Sequence, residues 1–281
     1  MTKEKIDEFK ETVITFYRNH GRHSLPWRMT SDPYKIVVSE IMLQQTQVDR
    51  VIPKFSEFIS LFPSFKSLAE AQTQRVIKAW KGLGYNSRAV RLQQTAKKII
   101  HDYNGELPQE EDLLLTLPGI GPATAGDLRA FIWNIPSVVI ETNIRTVIIH
   151  HFFPNHQLVT EEMIRETVGK TINNENPREW YWALMDYGSF LKSQGNSSHR
   201  KANIYRKQSS FNGSNRQLRS YILEALVKDS PQNIHDIYTY AMLSADRDKR
   251  ELPTQKDIAN NITSMEKDGL VTAQNDIVSL N

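Results

Sequence analysis

Cysteine is absent from this sequence of 281 residues. Its absence excludes disulfides, thiolate zinc sites, cysteine-ligated iron–sulfur clusters and cysteine nucleophiles, and leaves histidine and carboxylate side chains as the available metal ligands. Long apolar runs are also missing, because no stretch approaches the roughly 20 apolar residues of a membrane-spanning helix. The N-terminal residues are too charged for a signal peptide, so we expect a cytoplasmic protein.

The composition that remains is typical of a folded globular protein. Hydrophobic residues make up 39% of the chain and charged residues 24%, and their patterning excludes a disordered polymer. The formal net charge of +3 is compatible with a polyanionic partner but does not by itself require one. A chain of this length folds without disulfides, as one large domain or as a medium and a small one.

Apolar residues recur at helical spacing through the first two thirds of the chain. The stripes occupy residues 6–17, 48–59, 76–80, 89–100, 113–117, 123–133, 144–153, 163–172 and 180–191. Glycine, proline and asparagine separate them, and no alternating strand pattern of comparable length competes. The pattern predicts an all-α first domain over residues 1–191.

The composition changes between Lys192 and Arg219, where Lys and Arg recur without any Asp or Glu. We predict a basic segment over residues 192–215. It is either a solvated linker or a segment that lies along the phosphates of a polyanion.

Helical periodicity resumes in a predicted second domain, residues 216–281. Helices are expected over residues 218–227, 234–243 and 253–268, with Gly269 following the third as its C′ residue. The tail predicts two short strands joined at an Asn275-Asp276 turn. Three helices followed by a β-hairpin are typical of a winged-helix domain.

The third of these helices is the candidate recognition helix. It carries the polar residues Gln255, Lys256, Asn260 and Asn261. Winged-helix domains also serve as protein-binding modules, so a DNA contact and a protein contact both stay open here.

The most informative segment is Leu117-Pro118-Gly119-Ile120-Gly121-Pro122-Ala123-Thr124-Ala125-Gly126, between two helical stripes. Gly119 and Gly121 permit a tight turn, and the next helix is expected to begin near Pro122 with outward-facing N–H groups. Such a turn can hold a phosphate oxygen without reading a base. A Gly-x-Gly between helices is also a common simple turn, so its function depends on its surroundings.

Other short segments accompany this turn in a fixed order. They are Leu25-Pro26-Trp27-Arg28, Asp32-Pro33-Tyr34, Ser39-Glu40-Ile41-Met42-Leu43-Gln44-Gln45-Thr46-Gln47-Val48, Gly82-Leu83-Gly84-Tyr85 and, after an apolar run, Glu141-Thr142-Asn143. Together with the glycine turn, they resemble the helix-hairpin-helix (HhH-GPD) DNA glycosylases, and most closely the adenine DNA glycosylase (MutY) branch. The resemblance covers about residues 20–190.

The resemblance implies a two-lobed helical fold and a monofunctional DNA glycosylase of base excision repair. Such an enzyme flips a mispaired or damaged base out of double-stranded DNA, because a base cannot be attacked inside the stack. It implies Glu40 as the acid that protonates the base, Glu141 as the carboxylate that stabilises the sugar cation, and Asn143 as an orienting group. The apolar neighbours of Glu40 should raise its pKa; these are Val37, Val38, Ile41 and Leu43.

The remaining implied roles concern binding. The base pocket would include Arg28, Leu43, Ala123 and Trp182. The DNA wedge would be Gln45, with Tyr85 on the other side. The phosphate-binding hairpin would comprise Leu117, Gly119, Ile120, Gly121, Ala123 and Thr124, whose carbonyls could also hold a monovalent cation. We expect a monomer associated with the nucleoid.

The chain departs from the family pattern at several positions. Ala123 replaces the lysine of bifunctional relatives, so no lysine-dependent lyase activity is expected there. Glu141 stands where the superfamily has an aspartate, and Trp182 stands where adenine-specific relatives have a glutamate that contacts the base. The iron–sulfur cluster and the MutT-like C-terminal domain of relatives are not expected.

These departures leave several alternatives open. The substrate could be thymine, uracil or an alkylated purine instead of adenine, or the protein could bind a lesion without catalysis. Each site residue also has a structural alternative: Tyr85 as core, Glu40 as a buried paired acid, and Glu141 as a helix N-cap only.

Overall fold

A computed structural model describes residues 1–206, 211 and 213–281. In chain order its helices are α1 (Lys3–His20), α2 (Pro33–Leu43), α3 (Val48–Leu61), α4 (Phe65–Ala69), α5 (Thr73–Trp80), α6 (Ser87–Asp102), α7 (Glu111–Leu114), α8 (Pro122–Trp133), α9 (Thr142–Phe152), α10 (Glu161–Thr171), α11 (Pro177–Ser193), α12 (Asn215–Lys228), α13 (Ile234–Arg247) and α14 (Gln255–Lys267). The strands are β1 (Gln232–Asn233), β2 (Val271–Gln274) and β3 (Ile277–Leu280). Short 3₁₀ turns occupy Pro26–Arg28 and Ser198–Lys201.

The helices begin where the sequence supplies capping groups. Thr160 accepts the N–H of Met163 at the start of α10, and Thr254 forms a reciprocal capping box with Asp257 at the start of α14. Proline occupies the first turn of α8 and α11, where its missing N–H is not needed. Within the described residues, no helix combines the length and the apolar character required to cross a membrane.

The described chain divides into two compact units. The first comprises residues 1–40 and 107–206. Its core forms where α1, α9 and α11 pack together: the rings of Phe9 and Trp180 meet edge to face at 5.8 Å, and those of Phe9 and Phe152 at 4.9 Å. The fully buried Trp180 and Tyr181 on α11 anchor this core.

The second unit comprises residues 41–106, 211 and 213–281. Ile77 on α5 and Val90 on α6 belong to the same apolar cluster as Ile222, Leu226 and Ile258 of the C-terminal helices. Polar contacts accompany this packing, including a hydrogen bond from Gln74 Nε2 to the carbonyl of Val227 at 3.1 Å. The C-terminal helices therefore share one core with α5 and α6.

The C-terminal segment has the predicted winged-helix architecture. Strands β2 and β3 form an antiparallel hairpin in which Thr272 pairs with Ser279. Its turn residues Asn275 and Asp276 have φ of 50° and 62°, a left-handed geometry that suits these residue types. Gly269 follows α14 with φ of 69°, as predicted for its C′ residue.

Strand β1 was not predicted. Gln232 and Asn233 pair with Val278 and Ile277, giving a three-stranded sheet of order β1-β3-β2. Two polar residues produce no alternating apolar pattern, so their pairing depends on backbone hydrogen bonds that periodicity does not report.

The predicted basic segment, residues 192–215, lies partly outside the described residues. In its described part, Ala202 is buried. Val159 donates its N–H to the carbonyl of Lys201 at 2.9 Å and accepts the N–H of Asn203 at 3.0 Å. This stretch is packed against the first unit, so it is not a solvated tether there. The predicted boundaries at residues 191 and 216 stay predictions.

Candidate active site

Glu40 lies near the end of α2, which begins after an Asx turn at Asp32. The Asp32 Oδ1 accepts the N–H of Tyr34 at 2.9 Å. The residues around Glu40 are buried, including Val37, Val38 and Ile41, while Glu40 itself is half-buried. The helix thus carries one acid out of an apolar core.

The electrostatic environment of Glu40 favours its protonated form. Burial raises the pKa of Glu40 to about 8; the positive charge of Arg28 opposes the rise and the negative charge of Glu141 adds to it. No hydrogen bond from the described residues stabilises its charged form. The predicted elevation of the pKa of Glu40 by its apolar surroundings is therefore present in the structure.

Glu141 is the N-cap of α9. Its Oε1 accepts the N–H groups of Asn143 at 2.7 Å and Ile144 at 2.9 Å, and its Oε2 accepts Asn143 Nδ2 at 3.2 Å. Burial raises the pKa of Glu141, whereas these two backbone N–H groups and the charges of Lys192 and Arg145 lower it. Three donated hydrogen bonds favour the carboxylate form, so of the two acids Glu40 is the better proton donor and Glu141 the better anion.

Lys192, at the end of α11, binds Asn143, the residue that donates two of the hydrogen bonds to Glu141. Its Nζ donates to Asn143 Oδ1 at 2.9 Å, which fixes the amide with its NH₂ group toward Glu141. The helices approach closely here, because a Cβ on Gly188 would clash with the backbone of Asn143. Glycine at position 188 is thus what allows α11 to lie against the start of α9.

Arg28 is held in a buried ion pair. Its Nη1 lies 2.7 Å from Asp186 Oδ2 and its Nη2 lies 3.0 Å from Asp186 Oδ1. The guanidinium lies 5.4 Å from the ring centroid of Trp182 and 5.8 Å from that of Tyr17. The implied pocket residues Arg28 and Trp182 therefore lie against each other. The ring centroid of Phe131 lies 5.9 Å from that of Trp182.

The glycine turn connects α7 to α8 as a helix-hairpin-helix. Gly119 has φ of 86°, a conformation that favours glycine, and Gly121 is the N-cap of α8. Leu117 and Ile120 are buried, and the Ile120 N–H donates to the Leu117 carbonyl at 3.1 Å. Ala123 is exposed in the first turn of α8, while Thr124 is half-buried. The hairpin therefore has the geometry required to present a helix N-terminus to a phosphate.

The implied wedge residues, Gln45 and Tyr85, lie in the second unit. Both have a left-handed backbone, with φ of 56° at Gln45 and 47° at Tyr85. Such strain at a non-glycine residue is concentrated at functional positions. Gln45 is exposed and Tyr85 is half-buried, so neither is a core residue. Leu43, assigned to the base pocket, is half-buried in the same unit.

Arg88 organises both wedge loops. Its Nη1 donates to the carbonyls of Ile41 and Met42 at 2.9 Å, and its Nη2 donates to Thr46 Oγ1 at 3.0 Å and to the carbonyl of Gly84 at 2.9 Å. Arg88 is 6% exposed. A single buried guanidinium thus ties the loop that carries Gln45 to the loop that carries Tyr85.

On α14, Gln255, Lys256 and Asn260 are exposed, as a surface contact requires. Asn261 differs from them: it is buried and its Nδ2 donates to the carbonyl of Asp257 at 2.8 Å. Its place on the inner face of α14 removes it from the candidate recognition surface.

Four residues at or near these sites were missed by sequence reasoning: Arg88, Asp127, Asp186 and Lys192. Asp186 and Lys192 lie on α11, the helix that contains Trp182, and their charge within an amphipathic helix was a usable signal. Asp127 also interrupts an apolar stripe on α8. Arg88 gave no signal, because an arginine at a helix start is usually exposed.

About half of the chain matches a known protein family. A family model described as "HhH-GPD superfamily base excision DNA repair protein" matches residues 38–174. That range includes Glu40, the hairpin and Glu141. The chain belongs to the HhH-GPD superfamily.

Within that superfamily, its relatives include adenine DNA glycosylases. The protein of that name from Buchnera aphidicola subsp. Baizongia pistaciae is 35% identical over 192 residues, which is 67% of this chain and 54% of the relative. The Mycolicibacterium smegmatis protein is 41% identical over 137 residues, covering 48% of this chain and 46% of the relative. The chain thus spans about half the length of the curated relatives it matches.

Solved structures support the same fold. A thermostable thymine-DNA glycosylase superposes with a TM-score of 0.60 at 24% identity, over 72% of this chain and 97% of that structure. Endonuclease III in a non-covalent DNA complex also gives a TM-score of 0.60, at 17% identity, over 70% of this chain and 91% of that one. The predicted helix-hairpin-helix glycosylase fold is confirmed.

Proposed function

We propose that this protein is a monofunctional, MutY-like DNA glycosylase that hydrolyses the N-glycosidic bond of a mispaired or damaged base, with adenine as the first candidate. The observation that carries the proposal is that one unit contains Glu40, whose pKa is raised by burial, and Glu141, whose carboxylate accepts three hydrogen bonds. Base excision needs this division of labour between two acids.

The chemistry follows from the two environments. The Glu40 carboxyl donates its proton to a ring nitrogen of the everted base, and the bond between C1′ and the base nitrogen breaks with its electron pair leaving on the base. The Glu141 carboxylate stabilises the positive charge that develops on the sugar. Water adds at C1′ and gives a proton to the Glu40 carboxylate, which restores the acid and leaves an abasic site.

No amine stands at position 123 to intercept the sugar. Ala123 is exposed at the start of α8 and has no nucleophilic atom. The product expected from this site is an intact strand with an abasic position that alkali then cleaves. This expectation separates the protein from relatives that nick DNA through a Schiff base.

Binding of duplex DNA is supported by three surfaces. The hairpin at Gly119 would offer a helix N-terminus to a phosphate, and the strained residues Gln45 and Tyr85 would occupy the gap left by an everted base. The exposed face of α14 carries Lys256. A solved structure with the same fold, endonuclease III, is a non-covalent complex with DNA. The C-terminal domain would add contacts to the phosphates of the DNA, and the affinity that they contribute falls as the salt concentration rises.

The test is an excision assay on end-labelled duplexes. These contain adenine opposite 8-oxoguanine, adenine opposite guanine, thymine or uracil opposite guanine, and an alkylated purine, and each reaction is split before and after alkali. We expect cleavage of an adenine duplex after alkali only. Excision of thymine or uracil instead would assign a pyrimidine mismatch glycosylase, and excision of only the alkylated base would assign a third specificity.

Two variants make the assay specific for the site. Glu40→Gln should abolish excision while duplex affinity changes by less than about tenfold, because the amide cannot donate an acidic proton. Glu166→Gln is the matched control, since Glu166 is an exposed glutamate paired with Lys170. Tight duplex binding by the wild type with no excision of any base would replace the proposal with a lesion-binding function.

A further inference from the structure

Asp127 is a buried acid with one carboxyl oxygen that no described residue hydrogen-bonds. It lies on α8 with 7% of its surface exposed, and its Oδ1 has no hydrogen-bond partner among the described residues. An unpaired buried polar group destabilises the folded protein, so such a group invites a functional explanation. The mechanism above does not use it.

The position of Asp127 on α8 brings it to the implied base pocket. Ala123, Asp127 and Phe131 follow one another at intervals of four residues, so they share one face of the helix. The first of them, Ala123, is exposed and carries only a methyl group. The last, Phe131, packs against Trp182. Asp127 therefore lies one helical turn after the exposed Ala123 and one turn before Phe131.

The negative charges of both implied catalytic acids act on Asp127. Burial, then the negative charges of Glu40 and Glu141, raises the pKa of Asp127 well above its usual range. Three carboxyl groups that influence one another cannot all be ionised in a buried site. The raised pKa favours the neutral form of Asp127, and a neutral carboxyl group offers one O–H donor beside one carbonyl acceptor.

We propose that Asp127 is a specificity-determining residue, whose carboxyl group hydrogen-bonds the edge of an everted base that presents a donor next to an acceptor. This inference rests on the proposed function and names the recognition group of the same site. On adenine, the N6 amino group would donate to the Asp127 carbonyl oxygen while N7 or N1 accepts its O–H.

This assignment accounts for the change at Trp182. The resemblance implies that adenine-specific relatives contact the base through a glutamate at that position, and an indole has no acceptor to replace it. Asp127 restores an acceptor from α8 and adds a donor. The N7/O6 edge of guanine presents two acceptors, so the neutral carboxyl group would pair with only one of them.

The experiment compares adenine with unsubstituted purine, which keeps the ring nitrogens but lacks the 6-amino group. Single-turnover excision is measured on duplexes that carry either base opposite guanine. Binding is measured on the same duplexes with 2′-fluoro sugars, whose glycosidic bond resists cleavage. The variants are Asp127→Asn, which keeps a donor beside an acceptor, Asp127→Leu and Asp127→Ala, which keep neither, and the control Ser137→Ala.

Ser137 is a matched control because its Oγ is also buried without a partner, at 8% exposure. We expect the wild type, Asp127→Asn and Ser137→Ala to prefer adenine by about tenfold, the value of one good hydrogen bond, and Asp127→Leu to lose the preference. Asp127→Ala gives the same comparison with a smaller side chain if the leucine variant does not fold. An unchanged preference in the folded variant would overturn the proposal.

The two readouts separate this inference from the proposed function. If no duplex is excised but the binding preference for adenine disappears in Asp127→Leu, the enzymatic proposal fails and the recognition role stands. If excision occurs and Asp127→Leu retains the wild-type preference, the enzymatic proposal stands and the role of Asp127 is wrong. An altered melting temperature with an unchanged preference would identify a purely structural residue.

Discussion

Arg28 and Asp186 form a two-point ion pair in which the side chains are 4% and 2% exposed. Two parallel hydrogen bonds fix the guanidinium plane against Trp182. Burial alone would raise the pKa of Asp186, but the hydrogen bonds and charges of Arg28 and Arg22 hold it below its usual value. The pair thus joins the turn after α1 to the middle of α11, and it positions the Arg28 charge, which lowers the pKa of Glu40.

Breaking this pair should destabilise the protein strongly. Asp186→Asn leaves the Arg28 charge buried without a counter-ion, so we expect the free energy of unfolding to fall by about 3–5 kcal/mol. The measurement is chemical denaturation of the wild type and Asp186→Asn at neutral pH. Arg22→Ala is the control, because Arg22 pairs with the same carboxylate but is 36% exposed, and we expect it to lose less than about 1 kcal/mol. Equal losses in the two variants would contradict the special role of Arg28.

The raised pKa of Glu40 predicts how activity and stability change with pH. Excision needs the protonated acid, so its rate should fall as pH rises through about 8, the pKa of Glu40 in the folded protein. Because this pKa is higher folded than unfolded, the stability linked to Glu40 is complete below its usual value of 4.5 and is lost as pH approaches 8.

Glu40→Gln removes that titration. Its melting temperature should therefore exceed that of the wild type by more at pH 8 than at pH 5, as scanning calorimetry at both values would measure. A difference that is the same at both pH values would show that Glu40 does not titrate abnormally. Glu166→Gln again serves as the control, and its difference should not follow the same trend.

Lys192 is expected to act through Asn143 and Glu141. Lys192→Met removes the hydrogen bond to Asn143 and a charge that lowers the pKa of Glu141. Because excision needs Glu141 as a carboxylate, the pH at which the excision rate falls on acidification should become higher. Because Lys192 is exposed, we expect the rate to fall by only about threefold to tenfold. Lys201→Met is the matched control, since that lysine donates to the carbonyl of Pro154. A profile that keeps its low-pH limb would exclude this positioning role.

A separate experiment tests whether Lys192 forms a Schiff base with the sugar. Borohydride reduction during turnover traps any Schiff base between an amine and the sugar. We expect no trapped complex, because Ala123 leaves the first turn of α8 without an amine. A complex that forms in the wild type and disappears in Lys192→Met would mean that Lys192 itself attacks the sugar.

Sequence reasoning succeeded where a residue type has one dominant structural use. Gly119 and Gly269 both have positive φ, and Asn275-Asp276 forms the expected turn. Helix periodicity likewise recovered the stripes, because it reports apolar faces that must be buried. The position of Glu141 before α9 was also predictable, and the structure gives it a capping geometry that is compatible with its proposed catalytic role.

The same reasoning failed where burial is offset by partners that are distant in the chain. Arg88 is buried because carbonyls from two other loops accept its N–H groups, and no local pattern encodes that arrangement. Asp127 is buried although its Oδ1 has no hydrogen-bond partner in the described part of the chain. Asn261 lies inward because its amide bonds its own helix backbone. In each case the deciding interaction is tertiary or depends on a single rotamer.

Arg216, in the first turn of α12, gives the C-terminal domain a way to act on the wedge loop. Its Nη1 donates to the Tyr85 hydroxyl at 2.7 Å, and its guanidinium lies 5.5 Å from the Tyr85 ring centroid. Arg88 lies 5.7 Å from the same centroid. Two guanidinium groups thus hold an aromatic side chain whose own backbone is strained.

Removing one of these supports should impair base eversion more than DNA binding. We expect Arg216→Met to lower the everted fraction, measured by the fluorescence of 2-aminopurine at the target position, by about threefold to tenfold, because a stacked and hydrogen-bonded cation contributes about 1 kcal/mol. Arg219→Met is the matched control, since it removes the same charge from the same helix but pairs with Asp268. Both variants lose one charge, so their salt-dependent affinities should weaken equally. Equal eversion in the two variants would mean that Tyr85 keeps its position without Arg216, and that the C-terminal domain contributes charge alone.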